Sequence, residues 1–163
     1  MSVVTIKKEI DEIKKKLIEK DANSLMVIGC GKCAKSSKTG GPEEVIDIKE
    51  ILSKNGFKIF KNENLPEVLD EGLCRYSDVQ KLSEDIIDGS FDSILVLACG
   101  AGLKAISDNF NDKTIISGVN TIGIGIKENL VCLACGDCSF DNGICNRLSI
   151  IEEINNHLKK SYN

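Results

Sequence analysis

Apolar positions recur at helical spacing in the opening stretch, where Ile6, Ile10, Ile13 and Leu17 alternate with lysines and glutamates. A period of 3.6 residues puts those four on one face, so the pattern predicts an amphipathic helix over Thr5 to Glu19, within an N-terminal helical region 1–22. Leu25 to Ile28 is a continuous apolar run stopped by Gly29, which reads as a buried strand. Pro42, Glu43 and Glu44 open a helix, because proline suits the first turn and carboxylates favour its positive end. Val45, Ile48, Ile51 and Leu52 supply its apolar face, and Asn55-Gly56 ends it.

Phe57 to Phe60 reads as the next strand. Ser77 to Gln80 has the form of a capping box starting a helix that runs to Asp88, with Gly89 beyond. Ile94 to Ala98 is a strand, Gly102 to Phe110 a short helix and Thr114 to Ser117 a strand. Thr121 to Ile126 alternates isoleucine with glycine and fits a strand or a loop. A second capping box, Ser149 to Glu152, opens a last helix carrying Ile150, Ile151, Ile154 and Leu158. Strands alternating with helices predict a single α/β domain over 1–163, with a Rossmann-like parallel sheet flanked by helices. In such sheets ligands gather beyond the carboxyl ends of the strands.

Composition narrows this further. Hydrophobic residues make up 42% of the chain and aromatics only 4%, with no Trp, so the core must be aliphatic. A net charge of −4 argues against nucleic acid as a partner, since binding it requires a basic face. No apolar run approaches the roughly 20 residues of a membrane-spanning helix, so membrane insertion is not expected. The N-terminus shows no export signal, which predicts a cytoplasmic location. There, eight cysteines stay reduced and read as metal ligands or redox groups.

Their positions sharpen that reading. Cys30 and Cys33 follow the first predicted strand, Cys99 follows Ile94–Ala98, and Cys74 lies in the long connection after Phe57–Phe60. All four map to one edge of the predicted sheet, where folding would gather them into one thiolate site. Cys132, Cys135 and Cys138 follow C-x2-C-x2-C spacing, with Cys145 six residues further on, within a cysteine-rich metal-binding segment, 128–148. Three thiols in such short order with a fourth beyond suit a [4Fe–4S] cluster better than the paired knuckles of structural zinc. Gly29, Gly31, Gly100, Gly102 and Gly136 allow close backbone approach, so that amide N–H groups can point at sulfur. A helix starting near Gly102 would add its positive end beside Cys99.

Competing chemistry is thinner. Cys30-Gly31-Lys32-Cys33 after a strand also fits a thioredoxin-type pair. That reading leaves Cys74 and Cys99 without a role and needs a helix at Cys33, where 35–41 reads as loop. His157, the only histidine, lies on the polar flank of the last helix and offers no hydrolytic constellation. Thr39-Gly40-Gly41 lacks the lysine and spacing of a P-loop. Ala34 falls where a dinucleotide fingerprint needs its third glycine.

Taken together, Gly29-Cys30-Gly31-Lys32-Cys33, Thr39-Gly40-Gly41 before a Glu-rich helix start, Leu97-Ala98-Cys99-Gly100-Ala101-Gly102, Cys132-x-x-Cys135-Gly136-Asp137-Cys138 and Gly143-Ile144-Cys145 resemble the methylenetetrahydrofolate reductase C-terminal-domain family. The resemblance spans about residues 25 to 148. It implies a flavin-containing reductase subunit as partner, with a further electron-donating module, in anaerobic one-carbon metabolism. The family is described as zinc-binding and as iron–sulfur-binding. Where it commonly has a further cysteine four residues after Cys33, this chain has Ser37; after Cys145 it has Asn146 rather than proline, and Ile150 rather than a later cysteine.

The expected function is an iron–sulfur electron-transfer subunit with one or two [4Fe–4S] clusters, on Cys30, Cys33, Cys74 and Cys99 and on Cys132, Cys135, Cys138 and Cys145. The chain has no evident folate or flavin site and is not expected to catalyse alone. The alternatives are a zinc-stabilised docking module and a dithiol oxidoreductase using Cys30 and Cys33.

Overall fold

The protein is described by a computed structural model covering residues 2–86, 89–126, 129–136, 138 and 145–161. A five-stranded sheet is built on β2 (Ser24–Cys30), which is buried along its whole length. On one side it pairs in parallel with β5 (Ser93–Leu97), which in turn pairs with β6 (Thr114–Ser117). On the other side two short segments share the edge. β3 (Lys58–Ile59) pairs with the start of β2, and β4 (Val68–Leu69) with its end, Gly29 opposite Val68 and Cys30 opposite Leu69. Every pairing is parallel, and the order β3-β2-β5-β6 reverses direction at β2, consistent with a Rossmann-like layout.

The two-residue period of a strand divides the core between the sheet faces. Met26, Ile28 and Cys30 join Ile94, Val96 and Ala98 in one cluster, closed by α4 (Tyr76–Asp85) and α5 (Gly100–Asn109). Leu25 and Val27 join Leu95 and Leu97 in the other, closed by α1 (Ile10–Glu19) and α3 (Pro42–Lys54). α3 starts at the expected proline, and the Gly41 N–H donates to the Glu44 carboxylate at 2.8 Å. Its end follows the expectation, with Gly56 at φ +87°. Ile51 stays exposed on α3, and Ile150 stays exposed near the C-terminal end of the chain.

The opening residues depart from the sequence reading. Residues 2–7 form a strand, β1 (Ser2–Lys7), and the helix expected from Thr5 begins only at Ile10. Val3, Val4, Thr5 and Ile6 are all β-branched, with stiff side chains that suit a pleated surface, and Val4 and Thr5 are buried there. β1 pairs antiparallel with β7 (Val119–Ile126), so the alternating Ile/Gly stretch is a strand. β7 pairs with β8 (Asn129–Cys132), completing a three-stranded antiparallel sheet. Val4 and Leu130 of that sheet pack with Ile151 and Leu158 of α6 (Leu148–Ser161).

Both expected capping boxes fail. The residue flanking α4 is Arg75, which makes no side-chain cap; Ser77 lies inside the first turn and donates to Asp78. α4 ends at Asp85; of the stretch to Asp88, residues 87 and 88 lie outside the described residues. Ser149 is the second residue of α6. A serine three before Glu or Gln is common inside first turns too, so the pattern locates a helix start only to within a residue or two. The sequence predicts no helix at Cys33 and a loop over 35–41, yet residues 33–36 form a single helical turn, α2 (Cys33–Ser36). Among the described residues no helix is long and apolar enough to cross a membrane.

The outer edge of β8 is closed by a side chain. Asn155 of α6 accepts from the Leu130 N–H and donates to the Leu130 carbonyl, both at 2.8 Å, as a neighbouring strand would. Asn155→Ala is expected to lower stability by about 1–3 kcal/mol, since it orphans a partly buried donor and acceptor, read as an earlier urea midpoint at unchanged slope.

Candidate metal centre

The carboxyl ends of β2, β4 and β5 carry the first cysteine group. Cys30 is the last residue of β2 and is buried on the α5 side of the sheet. Cys99 lies two residues beyond β5 and flanks the first turn of α5, so the positive end of a ten-residue helix begins directly after it. Its own burial is nearly complete, at 5% exposure. Cys33 is the first residue of α2 and is partly buried. Cys74 follows β4 by five residues and is exposed.

Two close approaches hold the loops that carry them. A Cβ on Gly31 would stand 2.6 Å from the Asp70 Cα, so only glycine lets the Cys30–Cys33 turn run beside the chain leaving β4. The Gly31 N–H donates to the Leu69 carbonyl at 2.9 Å, locking that contact. A Cβ on Gly102 would stand 2.9 Å from the Leu73 Cβ and 2.9 Å from the Ala98 Cβ. The first turn of α5 therefore sits directly on Leu73, which is fully buried and immediately precedes Cys74.

Electrostatics register the gathering. The Cys74 thiol is pushed above its usual range, first by partial burial, then by repulsion from Cys30 and Cys99, with a smaller push from Cys33. A hydrogen bond to its own backbone lowers it in part. The thiols that act on Cys74 are those carried at the carboxyl ends of β2 and β5 and at the start of α2. Among the described residues, however, no three or more His, Cys, Asp or Glu side chains are arranged as a metal-holding group. All eight cysteines are free of disulfides.

The second group is less assembled. Cys132 ends β8 and is partly buried, Cys135 and Cys138 are exposed, and Cys145 packs at the edge of the α6 cluster. The expected motif residues Asp137, Gly143 and Ile144 lie outside the described residues. Two sulfurs already accept amide hydrogen bonds, Cys132 from the Ala134 N–H at 3.3 Å and Cys145 from the Arg147 N–H at 3.4 Å. Both donors lie two residues ahead of their cysteine. Ala134 at φ +51° and Gly136 at φ +77° turn the chain in the left-handed region between Cys132 and Cys138. Such N–H···S bonds offset thiolate charge.

The helical turn at Cys33 removes one objection to a thioredoxin-type pair, but burial restores another. Cys30, the position that would attack, is only 3% exposed, which shields it from an external disulfide. His157 is exposed on α6. The residues missed by the sequence reading are Leu73 and Asp70, which seat the cysteine loops, and Val3, whose N–H donates to the Cys33 sulfur at 3.4 Å. A contact across 30 positions leaves no local signal.

No family model matches this chain, and no curated protein or solved structure matches it.

If Cys30 and Cys99 hold the Cys74 thiol up by repulsion, removing either must lower it. Cys99→Ser is expected to move the alkylation profile of Cys74 to lower pH in the metal-free protein, and Cys30→Ser to move it further. The check is mass-spectrometric alkylation across pH; an unmoved profile would show that these sulfurs are not neighbours.

Proposed function

We propose that this protein is an iron–sulfur electron-transfer subunit of a methylenetetrahydrofolate reductase complex, working beside a flavin-containing partner in the cytoplasm. The observation that supports the reading is that Cys30, Cys33 and Cys99 lie just at or beyond the carboxyl ends of two paired parallel strands, with Cys74 on the loop after β4 and its thiol raised first by partial burial and then by the other three. The family resemblance supplies the reaction and the partner.

The residues suit such a group in kind. Four thiols are carried by one end of the parallel sheet, an α-helix begins beside Cys99, and a backbone N–H already donates to the Cys33 sulfur. Closing the cage requires the thiols to turn inward and lose their protons, and a bound cationic centre would favour their thiolate forms. A [4Fe–4S] cluster on four thiolates supplies reversible one-electron transfer. The chain's part is to hold the sulfurs, donate N–H groups to them and shield the inner face with Leu73 and Ala98, both buried. Exposed Cys74 marks the side open to a partner. Cys132, Cys135, Cys138 and Cys145 would hold a second centre.

Anaerobic purification with metal and sulfide analysis tests the reading. Iron with matching inorganic sulfide and a visible absorption that bleaches on reduction is expected; stoichiometric zinc without sulfide would replace it with a docking module. Cys135→Ala is expected to remove the metal of the second centre alone, roughly half of a two-centre total, and an unchanged metal content would reject that ligand set.

A further inference from the structure

β1 does more than extend the antiparallel sheet. Antiparallel strands alternate their N–H groups between their two sides, and on the side away from β7 the strand faces α2. The Val3 N–H donates to the Cys33 sulfur at 3.4 Å, and two residues on the Thr5 N–H donates to the Ser37 hydroxyl at 3.2 Å. Cys33 and Ser37 stand four apart, one helical turn, so consecutive outward N–H groups of β1 meet consecutive turns of the 33–37 segment. A buried hydroxyl pair, Thr5 with Thr39 at 2.6 Å, fixes the register. Slippage by one residue would break all three contacts together.

The same strand leads to the other cysteine group. Val3 lies opposite Ile124 in β7, and Ile124 lies opposite Cys132 in β8. Two strand spacings, about 10 Å, therefore separate the Val3 backbone from that of Cys132.

We propose that Val3 is a positioning residue: its backbone N–H holds the Cys33 sulfur in place for the first thiolate site, and β1 thereby ties that site in register to the strand ending at Cys132. The role as ligand support rests on the proposed metal-binding reading; the tether itself does not. The Cys33 sulfur, at the start of α2, is thus held from the antiparallel sheet, although its cysteine follows a strand of the parallel one. A strand that docks against it preorganises one ligand at the cost of no charged group, as outer-shell donors do in metal sites.

The test has two arms on the full chain. In the metal-free protein, Cys33→Ala removes the acceptor, and the Val3 amide is expected to exchange its hydrogen at least about tenfold faster by NMR while the Thr5 amide keeps its protection. Unchanged Val3 exchange overturns the tether. In the second arm Co(II) is titrated under reducing, anaerobic conditions into Val3→Pro, which lacks the N–H, and Val3→Ala, which keeps it. Val3→Pro is expected to bind the first-site Co(II) about tenfold more weakly, with Val3→Ala matching the parent chain. Equal affinities overturn the positioning role. Should Val3→Pro not fold, an ester in place of the Val3 amide, introduced by ligating a synthetic 1–29 segment at Cys30, gives the same comparison. If the parent chain takes up no Co(II), the metal-binding reading falls, and the exchange arm still decides the tether.

Discussion

Parallel pairing at the end of β2 is the constraint on which the cysteine site depends. β2 is held on one flank by β5 and on the other by β4, and both ladders run to its carboxyl end. Parallel strands finish on the same side of a sheet, so whatever follows each strand is delivered to one edge. Cys30, Cys99 and the loop to Cys74 arrive there for that reason alone. If β4 were absent, the connection after β3 would leave the sheet some ten residues early, and nothing would place Leu73 under the first turn of α5. Two paired residues, Val68 and Leu69, thus decide whether the fourth thiol joins the other three.

How much of this was readable in advance follows the physics of each contact. β2, β5, β6 and α3 carry their signals locally, as unbroken apolar runs or as proline and carboxylates at a helix start. β4 does not. Val68 and Leu69 sit between Glu67 and Asp70, too short for any period to appear, and their strand exists because β2 offers unpaired backbone groups. Residues 5–9 misled because Ile6, Ile10, Ile13 and Leu17 satisfy a helical period across a real boundary. Ile6 belongs to a strand that leans on β7, more than a hundred residues away, and that partner overrides the local pattern. For the site, the cysteines' placement at strand ends was legible, because topology follows from alternation. Their convergence was only implied. The supports around them, such as Gly102 on Leu73 or Val3 on Cys33, join distant segments and leave no trace in spacing.

The two cysteine groups obey different rules of assembly. The first is mounted on secondary structure: a strand end, two helix starts and a loop pinned by a buried leucine. Its geometry is largely set by the fold before anything binds. The second lies on the connection between β8 and α6; Cys135 and Cys138 are exposed, and among the described residues the N–H groups that reach Cys132 and Cys145 come from two positions further along the same segment. Such local N–H···S contacts need no tertiary framework.

A cluster of thiols would be a poor choice if its purpose were packing alone. Cysteine does serve as a small core residue; Cys30 lies in an apolar cluster and Cys99 is buried. Cys74 breaks that account. It is exposed, contributes little to the core, and sits where three other thiols make ionising it harder. Core packing alone does not account for that place. A positively charged, sulfur-seeking centre of the kind proposed above would favour the thiolate form there, where burial and neighbouring thiols disfavour it.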